Sequence, residues 1–185
     1  MILFKKPGEK NTRETLEIAV KKAATLPSKK ILVASTTGRS AKIALDIAPD
    51  DLKIVTITHH TGFEEPDIQE FDEGIKKLLE ERGHRVLTAT HALSAGERCL
   101  RKKFGGIYPL EIIANTLRMF SEGVKVAVEI SLMAADAGLV KTAELIVACG
   151  GTGSGLDSAV VIKPANSSNL FDLRIVEILC MPQNF

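Results

Sequence analysis

The 185-residue sequence has no tryptophan, one tyrosine and seven phenylalanines, so aromatics reach only 4%. That scarcity argues against base-stacking platforms of the kind that hold single-stranded nucleic acid. Charge of one sign is missing too: 24 Lys and Arg face 23 Asp and Glu, for a net charge of +1. Near-neutrality removes the footprint of a nucleic-acid or anionic-membrane binder, so neither partner is expected. No apolar run approaches the ~20 residues needed to cross a bilayer. The N-terminal apolar stretch stops at Phe4, before a signal-peptide core could form. The three cysteines, Cys99, Cys149 and Cys180, are too scattered for a disulfide framework or a zinc pattern. Cys149 and Cys180 sit in apolar stretches and read as small core residues, whereas Cys99 reads as a helix residue. A reducing, cytoplasmic setting is expected.

What the chain does have is alternation. Leu16, Ile18, Ala19, Ala23 and Leu26 give an apolar side to a helix capped at Asn11 or Thr12. Ile31 to Ala34 then forms a short apolar run of the buried parallel-strand type. A helix over 41–47 and a strand over 53–58 repeat the unit. An amphipathic helix over Asp67–Glu81 and a strand over 85–89 repeat it again. Helical stretches follow at 96–103, 109–121 and 123–138, with strands at 143–149, 158–163 and 174–181. This order implies a three-layer α/β/α sandwich with a mainly parallel sheet, formed by residues 1–185 as one domain. The last two strands lack a helix between them, so at least one runs antiparallel near the C-terminus. The helices at 109–121 and 123–138 carry apolar residues to spare, which suits a homo-oligomer.

In open α/β sheets, ligands sit beyond the carboxyl ends of strands, at a switch in strand order. Four loops leave such ends here, and all are rich in Ser, Thr, Gly or His: 35–40, 58–63, 90–96 and 150–157. The first is the sharpest. Gly38 permits a tight turn, and the amides after it open a helix whose N-terminus attracts an anion. Ser35, Thr36, Thr37 and Ser40 add hydroxyls and Arg39 a two-pronged donor, making a phosphate cradle. An ordinary N-cap with a surface arginine is the alternative. Around the cradle, Thr58, His59, His60, Gly62, Thr90, His91, Gly151, Thr152, Gly153 and Asp157 are candidate ligand contacts. Asp157 reads equally as a turn residue, and the histidines as hydrogen-bonding groups rather than metal ligands. Arg98, Arg101, Lys102 and Lys103 form a basic cluster on a solvated helix face, or one that reaches an anion. Neither a Walker loop nor a dinucleotide fingerprint is present. A Gly-x-Ser-x-Gly elbow is also lacking, Gly153-Ser154-Gly155 being a partial echo, so no catalytic residue is assigned.

The run Ser35-Thr36-Thr37-Gly38-Arg39-Ser40-Ala41, followed by a helix and Ile54-Val55-Thr56-Ile57-Thr58, resembles the C-terminal α/β domain of pyruvate kinases. In many of those enzymes the matching stretch holds a phosphate of an allosteric sugar bisphosphate. The resemblance implies that role for residues 35–40, with Ser35 and Thr36 departing from the kinase pattern. Over its whole length, including Gly150–Asp157 and Lys163-Pro164-Ala165-Asn166-Ser167, the chain is similar to a stand-alone, mostly archaeal group. That group carries no assigned reaction and is associated with flavin mononucleotide (FMN). The resemblance therefore implies FMN as cofactor, while the absent catalytic barrel means that it does not imply kinase activity. A non-catalytic sensor of a sugar phosphate is the alternative function, and a scaffold with a vestigial pocket a third.

Overall fold

The structure is a computed structural model and describes residues 1–184. Seven strands are β1 (Ile2–Phe4), β2 (Lys30–Ala34), β3 (Lys53–Thr58), β4 (Arg85–Thr88), β5 (Ile146–Gly150), β6 (Ser158–Lys163) and β7 (Arg174–Pro182). Six helices are α1 (Thr12–Ala23), α2 (Arg39–Ile47), α3 (Glu73–Glu81), α4 (Ala95–Phe104), α5 (Pro109–Arg118) and α6 (Glu122–Asp136). They form one mixed sheet in the order β1-β7-β6-β5-β2-β3-β4. Only β6 is antiparallel to its neighbours, pairing β5 on one side and β7 on the other.

Period-2 alternation assigns the two faces of the sheet. Ile31 and Val33 of β2 join Ile54, Val147 and Cys149 under α1 and α2, in one core. Leu32 between them joins Val55, Ile57, Ile146 and Ala148 under α6, in the other. Cys180 is also buried, whereas Cys99 is exposed on α4. The α/β/α expectation thus holds.

The sequence-based expectation missed one strand and several boundaries, α5 ending at Arg118 instead of 121 among them. The short strand β1 was not expected; it pairs in parallel with β7 through Ile2↔Cys180 to Phe4↔Pro182. The helix expected from Asp67 begins only at Glu73. Asp67 has φ +64, the Gly62 N–H donates to the Ile68 carbonyl, and the Asp72 carboxylate caps Ile75 N–H at 2.8 Å. An apolar period continued through 67–72 by coincidence, and Ile68 is exposed. The strand expected from 143 starts at Ile146, because Glu144 turns back onto the Lys141 N–H at 2.8 Å.

After β1 at one edge, the chain crosses to β2, builds outward through β3 and β4, then returns to the opposite side of β2 at β5. The switch point is the gap between the carboxyl ends of β2 and β5. Gly150 lets α6 lie against it: a Cβ there would fall 2.2 Å from the Gly123 carbonyl oxygen.

Candidate functional site

At the switch point lies a cleft of about 590 Å³, within the ~300–1,000 Å³ range of small-molecule and cofactor sites. All four loops expected at this edge contribute to its wall. Ser35, Thr36, Thr37, Arg39, Ser40, Thr58, His59, His91, Gly151 and Gly153 line it. Gly38, His60, Gly62, Thr90, Thr152 and Asp157 stand outside the wall.

The 35–40 loop is held from both sides. Ser35 N–H donates to the Ile57 carbonyl, extending the β2–β3 ladder, and Asp72 N–H donates to the Thr37 carbonyl at 3.3 Å. Gly38 has φ +96, and a Cβ on it would lie 2.9 Å from Ile75 Cδ1, so both the turn and the α3 contact need glycine. Ala41 N–H donates to Ser35 Oγ at 3.4 Å. The amides of Arg39 and Ser40 open the first turn of α2, where no intrahelical acceptor exists for them. They remain available to an anion.

Arg39 reaches across the mouth of the cleft. Its Nη1 donates to Glu9 Oε1 at 3.0 Å and its Nη2 to Ser154 Oγ at 3.3 Å. Ser154 Oγ in turn donates to Glu9 Oε2 at 3.4 Å. A carboxylate from the N-terminal turn Glu9–Asn11 therefore holds the guanidinium that the sequence assigned to phosphate. Behind this tie Asp157 is fully buried, its carboxylate accepting from Gly8 N–H at 2.8 Å, Thr152 N–H at 3.2 Å and Ser158 Oγ at 2.9 Å. The turn role, not ligand contact, occupies Asp157. The Thr152 hydroxyl oxygen is buried without a partner.

Beside Thr36 the wall of the cleft is built from imidazoles. His59 Nδ1 lies 3.1 Å from Glu70 Oε2, and His59 Nε2 lies 3.4 Å from Thr36 Oγ1. Phe63 packs on His59 with ring centroids 3.9 Å apart, and His91 stands edge-on to His59 at 5.3 Å. His60 contacts Phe63 and His91 from behind, its Nδ1 donating to the Thr61 carbonyl at 2.9 Å. The Thr58 hydroxyl is taken up internally, 2.7 Å from both the His59 carbonyl and Thr88 Oγ1. Gly62 turns the loop at φ +81, and Thr90 is exposed. Burial pushes the His91 imidazole down to about 4, against the opposing pull of Glu129; His59, Lys125 and His60 lower it further. His91 is therefore neutral at pH 7.

Glu129 belongs to a buried pair that the sequence did not single out. Lys125 and Glu129 are each 5% exposed, with Nζ 2.5 Å from Oε2, and Glu129 Oε1 accepts the Leu93 N–H at 3.0 Å. Its signal was present: a Lys and a Glu four apart inside the apolar run 124–135. Glu9, Phe63 and Glu70 had no such signal. On the far side of the pair, Arg98, Arg101, Arg118 and Lys125 line a smaller cavity of about 250 Å³ between α4, α5 and α6. Arg101 pairs with Glu111 at 2.6 Å and Arg98 sits over Phe63, while Lys102 and Lys103 are exposed. His84 is buried and accepts the Ile54 N–H on Nδ1 at 3.3 Å. Among the described residues no three His, Cys, Asp or Glu side chains are placed to hold a metal ion, and no helix is long and apolar enough to cross a membrane.

Comparison with known proteins gives a family match over residues 13–162, to the family described as pyruvate kinase, alpha/beta domain. Among solved structures, a pyruvate kinase from Cryptosporidium parvum is similar at 16% identity and TM-score 0.41, over 81% of this chain. A second structure of a Cryptosporidium parvum pyruvate kinase, in complex with ADP, is similar at 16% identity and TM-score 0.40. The chain spans only 22% of the length of the kinase in each case.

Proposed function

The chain belongs to the pyruvate kinase alpha/beta domain family, and on that premise we propose that its cleft binds a phosphorylated small molecule, flavin mononucleotide. The observation that carries this reading is the cradle itself: free first-turn amides of α2, four hydroxyls and Arg39 converge where a phosphate would be neutralised. Likeness to the stand-alone, mostly archaeal group associated with FMN supports the choice of flavin.

The residues present fit that group. The cleft is large enough, the 35–40 turn lines it with donors, and beside Thr36 it offers His59, backed by Phe63, and His91 as flat surfaces for a ring system. Ser35, Thr36, Thr37, Arg39 and Ser40 would hold the phosphate; His59, His91 and the Gly151–Gly155 loop would flank the remainder. Bound flavin would supply one- or two-electron transfer chemistry. The protein's own part is to exclude water through Ile130 and Met133 and to present a neutral His91 as a hydrogen-bond donor.

The second reading is a sugar-phosphate sensor. It is favoured by the Glu9–Arg39 contact, which an incoming phosphate would replace, moving the N-terminal turn. The visible spectrum of freshly purified protein, with mass spectrometry of what acid releases, decides between them. A flavin spectrum and an FMN mass support the first reading. A colourless protein that takes up no added FMN but is stabilised by a sugar bisphosphate refutes it in favour of the second.

A further inference from the structure

Thr36, His59 and Glu70 form one hydrogen-bonded chain along the wall of the cleft, hydroxyl to imidazole to carboxylate. The tautomer that satisfies both contacts carries its proton on Nδ1, donating to Glu70, and turns the Nε2 lone pair toward the Thr36 hydroxyl. Such a chain defines an activated hydroxyl nucleophile, and it is recognised by geometry and roles, not by sequence order. We propose that Thr36, His59 and Glu70 make this cleft an acyl-transfer site, with Thr36 as nucleophile, His59 as general base and Glu70 as positioning residue.

The backbone context suits the role. Ala34-Ser35-Thr36-Thr37-Gly38 crosses from the end of β2 to the start of α2, a strand–turn–helix with a small residue two before and a glycine two after the hydroxyl. No positive φ occurs at Thr36, so this is not the strained elbow sought in the sequence. It nevertheless sets the hydroxyl on the turn that leads into the first-turn amides of α2, Arg39 and Ser40, which can stabilise an oxyanion. At 31% and 25% side-chain exposure, His59 and Glu70 are sheltered yet reachable.

Charge selects the substrate class. Glu9, Glu64, Glu70, Glu122 and Glu129 line the cleft with the cations Lys10, Arg13 and Arg39, and all of these carboxylates but Glu64 are already partnered, by Arg39, His59, Arg118 and Lys125 in turn. The acyl group at Thr36 is therefore uncharged, and any anionic tail of the ester points to Arg39. Thr36 Oγ bonds to the carbonyl carbon as its proton passes to His59 Nε2. The tetrahedral oxyanion collapses, the ester C–O bond breaks, and the leaving alkoxide takes that proton. Water then gives its proton to His59 and its oxygen to the acyl carbon, and the threonine hydroxyl is restored. The net reaction is ester plus water to acid plus alcohol.

This inference shares the cleft with the flavin reading but does not rest on it. The test uses the purified full chain, a fluorophosphonate probe and p-nitrophenyl acetate. The expected results are a phosphonyl adduct on Thr36 in peptide mass spectra, with fluoride released, and ester turnover above buffer. Thr36→Val and His59→Ala should each lower kcat/KM at least ~100-fold, and Thr36→Ser should retain adduct and turnover. Glu70→Ala should lower kcat about 10–100-fold at unchanged KM, and ring ¹⁵N NMR should show His59 losing its Nδ1–H preference. An adduct on another residue, unchanged turnover in Thr36→Val, or neither adduct nor turnover in the folded wild type overturns the proposal. FMN uptake is read separately by flavin fluorescence: turnover without uptake refutes the flavin reading alone, and uptake without adduct or turnover refutes the relay alone.

Discussion

Removing the charge of Glu9 should strengthen anion binding, although Glu9 is part of the cleft wall. Arg39 is held by Glu9 Oε1 at 3.0 Å and by Ser154, with side-chain exposures of 65% for Arg39 and 60% for Glu9. An ion pair that open to water contributes about 0.2–1 kcal/mol. A phosphate that takes Arg39 must first displace that contact, so Glu9→Gln should tighten FMN or inorganic phosphate binding by roughly 1.4- to 5-fold. Removing the cation acts in the other direction. A charge-assisted hydrogen bond is worth about 1.5–3 kcal/mol, so Arg39→Ala should weaken the same ligands by roughly 10- to 150-fold. In the double variant the benefit of Glu9→Gln should vanish, because there is no guanidinium left to release. Titration calorimetry of the four proteins at low and at high salt measures all three terms, and high salt should shrink the Glu9 effect. If Glu9→Gln weakens binding, or if its benefit persists without Arg39, the displacement argument fails. If Arg39→Ala binds as the wild type does, the 35–40 loop is not the phosphate site.

Gly38→Ala forces a Cβ at φ +96 into Ile75 and should cost about 1–3 kcal/mol; an unchanged thermal midpoint would refute the packing account. Lys125→Met leaves the Glu129 carboxylate buried without its cation and should destabilise by about 3–5 kcal/mol. Adding Glu129→Leu should recover only part of this in chemical denaturation, because Leu93 N–H then loses its acceptor. The histidines predict a pH dependence. Burial lowers the folded value of His91 to about 4 and, with Lys53 and Arg82, also lowers that of His84. Each takes up a proton more readily unfolded, so its stabilisation is complete above 6.5 and drains as pH falls toward the folded value. His91→Gln should flatten the fall in thermal midpoint between those limits, and an unaltered slope would refute its assignment to His91.

Several features were legible because they are local. The alternation of strand and helix, the glycine that starts α2, and the hydroxyl-rich loops at the strand ends depend on neighbours within about four residues, the reach of helical and strand periodicity. That at least one of the last two strands runs antiparallel was legible for a related reason, since a short connection cannot return a strand in parallel; the structure makes that strand β6. The same logic misplaced the start of α3, where an apolar period ran on through 67–72. There the positive φ of Asp67 and the Asp72 cap determine the chain instead.

The sequence by itself thus determined the layers of this protein, the edge where its cleft lies and the hydroxyl-rich turn at 35–40 that opens α2. Tertiary structure alone decided what that turn faces. Glu9 meets Arg39 across 30 positions and Ser154 across 145, and Asp157 takes the Gly8 amide across 149. Glu70 reaches His59 from a segment whose pattern suggested a helix, and Lys125 and Glu129 are buried where they part the two cavities. Helical spacing alone pairs Lys125 with Glu129, but neither its burial nor any of the other contacts follows from periodicity or propensity. They arise because strand order brings β2 and β5 side by side, and burial there leaves each polar group only the partners within reach.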